Sequence, residues 1–403
     1  MNWLWLIGGA TLGVIWIWRV LDAFLGMRKM PDLAAPAFDA MPANAAGEVP
    51  PVSIIVPARN EAEHVEATLQ SLLALDYPGC RVIAVDDRSN DATGQILDRL
   101  GDENRDGMRV IHVEELPAGW LGKTHAMWVA VQSIADLASG EPGRSSKAID
   151  DGWLLFTDAD VIFRPDALRR AVVYAEQSGA DHLVLLPKVE VETAGGRMML
   201  AFFGILFLFW HRPWKAADPR ASDSIGIGAF NLVRIRVYQA VGGWQALRLA
   251  VVEDMKLGET IKRHGFAQKV AAGQSLLRNF WARDASGIMN NLTKNFFALA
   301  RYSLGRSLGV CLLLLLFHVV PFAAIFLAPG LAKLGFAATL VAIAAVYVAR
   351  SQSGTSPFYF LLHPLAAMLY IYVMLRSMAL TLWRGGVVWR GTKYPLGELR
   401  RQG

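Results

Sequence analysis

Cysteine is nearly absent. The 403 residues contain two, Cys80 and Cys311, which excludes a disulfide scaffold, leaves no thiol cluster for a metal and suits a reducing compartment. Charge is scarce too, at 19% of residues against ~25% in an ordinary soluble domain, while 54% are hydrophobic. So apolar a chain has ample surface to bury, which excludes disorder, and its dispersed glycines exclude collagen. No GxGxxG follows the first strand-like run and no GxxxxGK[ST] occurs anywhere, so neither a dinucleotide fold nor a P-loop is supported. Nucleic-acid-binding motifs and internal repeats are missing as well. The net charge of +5 gathers beside apolar segments, where anionic lipid headgroups rather than nucleic acid are the fitting partner.

The apolar surplus is localised. Residues 1–18 carry no charge and are followed by Arg19, Arg28 and Lys29, and three further apolar runs cover 308–328, 331–349 and 357–382. These lengths approach the ~20 residues with which a helix crosses a bilayer core. The cations follow the first run instead of preceding it, and no small-residue cleavage site comes after, so an uncleaved anchor is expected. Arg19, Arg28, Lys29, Arg301 and Arg306 assign 19–307 to the cytoplasm, which predicts an integral protein of the inner (plasma) membrane with its catalytic part cytoplasmic. The basic tail (Arg384, Arg390, Lys393, Arg400, Arg401) asks for the same side, yet three full crossings after 307 would put it on the other. Arg376 and Pro364 make 357–382 the weakest span, expected to be bent, shallow or re-entrant, with a cytoplasmic tail. The organisation read from sequence is an anchor over 1–20, a Pro/Ala-rich linker over 21–51, a cytoplasmic unit over 52–306, a membrane block over 307–382 and an interfacial tail over 383–403.

Within the middle unit, strand-like runs at 52–57, 81–86, 109–113 and 153–158 alternate with helical stretches at 61–75, 91–100, 124–138 and from Pro165. This predicts an α/β fold, a mostly parallel sheet flanked by helices, with a polar loop at 140–151. Ligands of such sheets sit beyond the carboxyl ends of the strands. There the chain places Pro57-Ala58-Arg59-Asn60-Glu61, then Asp86-Asp87-Arg88-Ser89, then Asp158-Ala159-Asp160. Carboxylates at i and i+2 suit Mg²⁺ or Mn²⁺, which bind through one or two carboxylates plus substrate phosphates; capping of the helix near Pro165 is the plainer alternative. A second acidic pair, Glu253-Asp254, opens the pattern 255–265, either as a helix N-terminus that favours acids or as a general base acting on an acceptor hydroxyl. Between the pairs, Gly226 and Gly228 permit either close substrate approach or helix packing.

In this order, the elements IIVPARNE (54–61), VDDRSNDAT (85–93), GK (122–123), TDAD (157–160), GxF with GGW (228–230, 242–244) and VED (252–254) resemble the family 2 inverting glycosyltransferases of GT-A fold. The resemblance covers about residues 50–300. It implies a UDP- or GDP-linked sugar donor, with Asp86 or Asp87 holding the base and Pro57, Arg59 and Glu61 shaping the nucleotide pocket. Lys123 would approach the phosphates, Asp158 the nucleoside or sugar, and Asp160 the metal. Asp254 would be the base, with Glu253 beside it, and Gly228 and Phe230 would face the acceptor. The anchor plus C-terminal block is similar to the lipid-modifying branch, including ceramide glucosyltransferases and hopanoid- or carotenoid-associated enzymes. The tail Val388-Trp389-Arg390-Gly391-Thr392-Lys393-Tyr394 is similar to its WxGxxY element, and Trp389 reads equally as an interfacial anchor or as part of the acceptor site.

One family element is missing. The stretch 291–302 has no Trp where a Q/RxxRW motif is expected, which disfavours polymer synthesis and puts a ceramide acceptor in doubt. Residues 198–210, apolar but only 13 long, read as an interfacial helix bordering the acceptor entrance or as a buried core helix. The expectation is a metal-dependent, inverting transfer of one sugar to a membrane lipid hydroxyl at the cytoplasmic face. Its rivals are a polyprenyl-phosphate glycosyltransferase, a polysaccharide synthase and a non-catalytic membrane scaffold. Transport is disfavoured, because the three C-terminal runs contain no acidic residue.

Overall fold

The computed structural model describes residues 2–44, 47–140 and 152–402, so 141–151 of the expected polar loop lie outside the described residues. Seven strands form the central sheet in the order β3-β2-β1-β4-β8-β6-β9. They are β1 (Val52–Ala58), β2 (Cys80–Asp87), β3 (Met108–Val113), β4 (Trp153–Phe156), β6 (His182–Leu186), β8 (Asn231–Arg234) and β9 (Gln268–Ala272). The first four pair parallel, as do β6 and β9, and β8 alone runs against its neighbours. The runs are continuously apolar because both sheet faces are covered. Ile54 and Val56 of β1 pack under the helices Val65–Leu73 and Ala167–Gln177, and Ile55 joins Ile83 and Val85 against the helix Gly122–Gly140. A small sheet, β5 (Val161–Phe163) and β7 (Lys188–Val189) on either side of β10 (Leu277–Asn279), starts directly after Asp160.

Part of the expected linker is docked. Ala272 N–H donates to Pro31 O (2.8 Å), Leu33 is fully buried, and Arg170 Nη1 donates to the carbonyls of Leu33, Ala34 and Ala35.

Among the described residues, five helices are long and apolar enough to cross a membrane: Trp3–Met27, Ala194–Lys215, Leu304–Leu327, Ala332–Ala349 and His363–Arg384. The N-terminal helix packs parallel to Ala332–Ala349, with Gly9 and Gly13 against Gly335, where a Cβ on Gly335 would lie 2.2 Å from Gly9 C. Small residues are what let two apolar helices approach in this way. The span from Leu304 contains a π turn, Leu315–Val319, just before Pro321. Proline has no N–H to offer the carbonyl four residues back, and Trp16 Nε1 donates to that freed Phe317 oxygen instead (3.1 Å).

In the last apolar run the proline makes no bend. Pro364 stands in the first turn of the helix His363–Arg384, where a missing N–H costs nothing, so it starts the helix and does not bend it. His363 begins that helix beside His318 and Tyr347, inside the bundle, while its second half lies on the helix Ala285–Leu299, with Phe297 N–H donating to Ser377 Oγ (3.0 Å). It therefore runs from the bundle back onto the helix Ala285–Leu299. Beyond it, β11 (Gly386–Trp389) and β12 (Thr392–Pro395) form a hairpin around Arg390-Gly391, both at positive φ as a two-residue primed turn requires. Its Val387 and Tyr394 bury against Leu249, Phe297 and Tyr302.

The helix expected over 198–210 extends over Ala194–His211, N-capped by Thr193 Oγ1. Residues 198–209 are nowhere exposed. Phe207 faces the cluster of Val184 and Ile225, and Phe202 faces His318 and Tyr370. The helix is a seam between sheet and membrane bundle.

Candidate active site

The carboxyl ends of β1, β2 and β4 converge on one rim, as read from the sequence. The loops after β1 and β2 are stitched together. Asn60 N–H donates to Ser89 Oγ (3.0 Å), Asn90 N–H to Asn60 Oδ1 (2.8 Å), Glu61 N–H to Thr93 Oγ1 (2.8 Å) and Ala62 N–H to Asp91 Oδ2 (3.2 Å). Pro57 lies in register with Val85, and Ala58 with Asp86. The Asp87 carboxylate is occupied by the Arg88 guanidinium (2.8 and 3.1 Å), with Arg59 Nη1 at 3.6 Å. Asp86 accepts from Ser89 N–H (3.1 Å) and faces His112 Nδ1 (3.3 Å).

The second half of the rim is built from the Asp-x-Asp loop and the helix Glu253–Arg263. Two glycines let them meet. A Cβ on Gly228 would lie 2.2 Å from Asp158 Oδ2, and one on Gly226 would lie 1.7 Å from Asp254 O. Close approach, not helix propensity, is what these positions require. Gly228 N–H donates to Asp254 Oδ2 (2.8 Å) and Met255 N–H to Asp254 Oδ1 (2.7 Å). Lys123 Nζ bridges Asp158 and Glu253 at 2.5 Å each. Lys123, Asp158, Gly228, Asn231, Trp244, Glu253 and Asp254 line one pocket.

The electrostatics follow from this crowding. Burial, then the neighbouring Glu253, hold the Asp254 carboxyl above the usual carboxylate range against the pull of Lys123. Burial, Asp158 and Glu61 do the same to Asp160. Burial works against the charge on Lys123, but Asp158, Glu253 and Asp254 outweigh it and raise that ammonium well above its ordinary value.

Asp160 Oδ1 is buried with no hydrogen-bond partner among the described residues. A buried orphan oxygen beside other carboxylates fits a divalent cation. No three His, Cys, Asp or Glu side chains group into a metal cage among the described residues, so an ion held by Asp160 must complete its shell with substrate phosphate and water.

One sequence reading changes. Phe230 is fully buried against Phe163 in the core, because it ends the turn that enters β8, so it underlies the site and does not face an acceptor. For Trp389, read equally as an anchor or as part of the acceptor site, the hairpin sets the ring beside the helix Ala285–Leu299, where Lys294 Nζ stands 3.5 Å above its centroid. Lys294 was not singled out from sequence. Burial brings its ammonium down to about 8, with Lys123 and Arg390 adding to the effect and Glu253 and Asp158 opposing it. Arg390, next to Trp389, pairs with Glu61, and Gly122 N–H donates to Tyr394 Oη (3.3 Å). The period-2 pattern VVW-RG-TKY around a Gly-containing pair was the available signal for this hairpin.

A family model described as "Glycosyltransferase like family 2" matches residues 50–298. The 4,4'-diaponeurosporenoate glycosyltransferase of Staphylococcus aureus (strain USA300) is 22% identical over 366 residues, covering 86% of this chain and 89% of the relative. Among solved structures, a mannosyltransferase from Pyrobaculum calidifontis in complex with GDP-Man and Mn²⁺ matches at TM-score 0.51 and 18% identity, covering 93% of this chain and 99% of that one.

Proposed function

Since the chain belongs to the glycosyltransferase-like family 2 and has its GT-A-type fold, we propose that it transfers one sugar from a UDP- or GDP-linked donor to a membrane lipid, with inversion and with the help of a divalent metal. The observation that carries this reading is the Asp254 carboxylate, fixed by two backbone N–H groups across Gly228 from Asp158. Asp86 holds the base, since Asp87 is committed to Arg88, and Pro57, Arg59 and Glu61 wall the nucleotide pocket. Asp158 and Lys123 meet the sugar and the phosphates, and Lys294 and Arg390 add charge from the helix Ala285–Leu299 and the tail. Asp254 takes the proton of the acceptor hydroxyl, whose oxygen then attacks the anomeric carbon from the face opposite the diphosphate. Asp160 is the residue that would hold Mg²⁺ or Mn²⁺, which supplies positive charge against that developing on the diphosphate.

The catalytic unit is 52–306 with the tail 383–403 folded back onto it, and the membrane block lies within 307–382 together with the anchor at 1–20. Crossings by Leu304–Leu327 and Ala332–Ala349 alone return the chain to the catalytic side, which satisfies the charge rule for the tail. The basic flanks support the cytoplasmic face of the inner membrane.

A second reading comes from the staphylococcal relative, whose name denotes a carboxylate. An acceptor already ionised, as a carboxylate or a polyprenyl phosphate, needs no base. Incubating membranes that contain the chain with radiolabelled UDP- and GDP-sugars and Mn²⁺, then extracting lipid, tests the proposal. Label in the lipid fraction is expected; label confined to water-soluble polymer overturns it.

A further inference from the structure

His112 is the penultimate residue of the edge strand β3, with each ring nitrogen against a different carboxylate. Nε2 lies 2.7 Å from Asp98 Oδ1, on the helix Thr93–Glu103, and Nδ1 lies 3.3 Å from Asp86 Oδ2, on β2. A neutral imidazole has one N–H and one lone pair, so it can serve only one of these carboxylates and turns a lone pair toward the other. Only the imidazolium donates to both. The remaining oxygen of Asp86 accepts from Ser89 N–H, and the residue is 8% exposed, so its direction is set by these two contacts. Gly94 keeps the space, since a Cβ there would lie 3.0 Å from Asp86 Oδ2. No other charged side chain pairs with His112 among the described residues.

We propose that His112 is a positioning residue for nucleobase recognition: as the imidazolium it holds the Asp86 carboxylate toward the N–H edge of a uracil or guanine base in the donor. The proposal deepens the reading of Asp86 as the base-holding residue and rests on it. The hydrogen bond to Asp98, then that to Asp86, raise the His112 pKa above its ordinary value. Nucleotide affinity therefore holds below that raised value and weakens as the pH climbs through it and the imidazolium is lost. Asp98 tunes the transition while touching no part of the site itself.

The test is calorimetric titration of the detergent-solubilised full chain with UDP and with GDP, in Mn²⁺, across the range from below to above the ordinary histidine pKa of ~6.5. Wild type should lose about three- to tenfold in affinity for its preferred nucleotide across the transition, the range of one ordinary net hydrogen bond, since His112 acts on the base only through Asp86. H112Q should show the weakened affinity at every pH. D98N, a change at an exposed position, should keep the low-pH affinity and move the transition to lower pH. A wild-type transition persisting in H112Q, or one unmoved in D98N, overturns the proposal. D86N separates the two levels. Loss of nucleotide affinity in D86N together with an unaltered H112Q profile removes the role of His112 alone, and full affinity in D86N removes the base-site reading and the proposal with it.

Discussion

The two halves of the catalytic rim are built on opposite terms. Around β1 and β2 the loop N–H groups meet Ser89, Asn60, Thr93 and Asp91 and Asp87 is enclosed by arginine, with Arg59 Nε the buried atom left without a hydrogen-bond partner among the described residues. Around the Asp-x-Asp loop and the Glu253–Arg263 helix, Asp158, Asp160, Glu253 and Asp254 crowd together, Lys123 bridges Asp158 and Glu253, and Asp160 Oδ1 has no hydrogen-bond partner. The first half is finished by folding. The second is left short of positive charge, and burial, then the neighbouring carboxylates, hold Asp254 and Asp160 above the usual carboxylate range. A half that recognises a constant nucleotide gains from rigidity. On the proposed mechanism the other half receives a metal, a diphosphate and a proton, and gains from unmet demand.

If the halves divide the work in this way, losses in one should leave the other intact. The largest effect is expected from Asp254→Asn, which keeps the shape and removes the base. Turnover on a hydroxyl acceptor should fall by about 10²–10⁴-fold, with nucleotide affinity in calorimetry unchanged. Parallel loss of binding would break the division. Turnover preserved in this variant would instead favour an acceptor that is already ionised.

Next is Asp160→Ala, read by nucleotide titration with and without Mn²⁺. The metal-dependent gain in affinity should drop by at least the ~10–100-fold seen when a metal's supporting residues are lost. Affinity without metal should hold, since base and loop contacts remain. Equal affinities for wild type and variant in Mn²⁺ would take the metal away from this residue.

How much of this was legible depended on whether a residue's role is set locally. The four parallel strands β1 to β4 announced themselves through their apolar runs, each predicted run lying within two residues of its strand, whereas the parallel pair β6 and β9 was not read. The antiparallel β8 and the two- and three-residue strands β5, β7 and β10 are too short for any period to show. Pro364 was misread because a proline in the first turn and one in the interior look alike until the helix start is known. Phe230 sits where a family pattern suggested a surface, but its ring points into the core beneath β8. Lys294 could not have been found from its own neighbourhood, since its partner Trp389 arrives from a hairpin beyond two membrane helices and a returning one.

That long-range pairing yields a pH test of the same division. With Asp254 acting as a base, activity requires its ionised form, so the acid limb of kcat/KM should lie above the ~4 of ordinary carboxylates. At the other end, Lys294 loses its charge near pH 8 instead of the ~10.4 of a free lysine. An alkaline limb near 8 is expected, and Lys294→Arg, whose charge persists, should move it upward and leave the acid limb in place. An alkaline limb unchanged by that substitution would remove Lys294 from the site.

The smallest effect should come from the tail, and its size follows from exposure. Arg390 and Glu61 are 29% and 21% exposed, so their ion pair is only partly screened and is worth about 1 kcal/mol, the upper end for a surface pair. Arg390→Ala should therefore raise the donor KM by no more than about fivefold, with kcat kept, because what it loosens is the nucleotide wall at Glu61 and not the base at Asp254. A matching Glu61→Gln should give the same modest rise, and the double variant should add little to either, as two members of one pair do. A fall in kcat in Arg390→Ala would mean that the hairpin acts on the transfer half after all, through Trp389 and Lys294, and the boundary between recognition and transfer would then run through the tail.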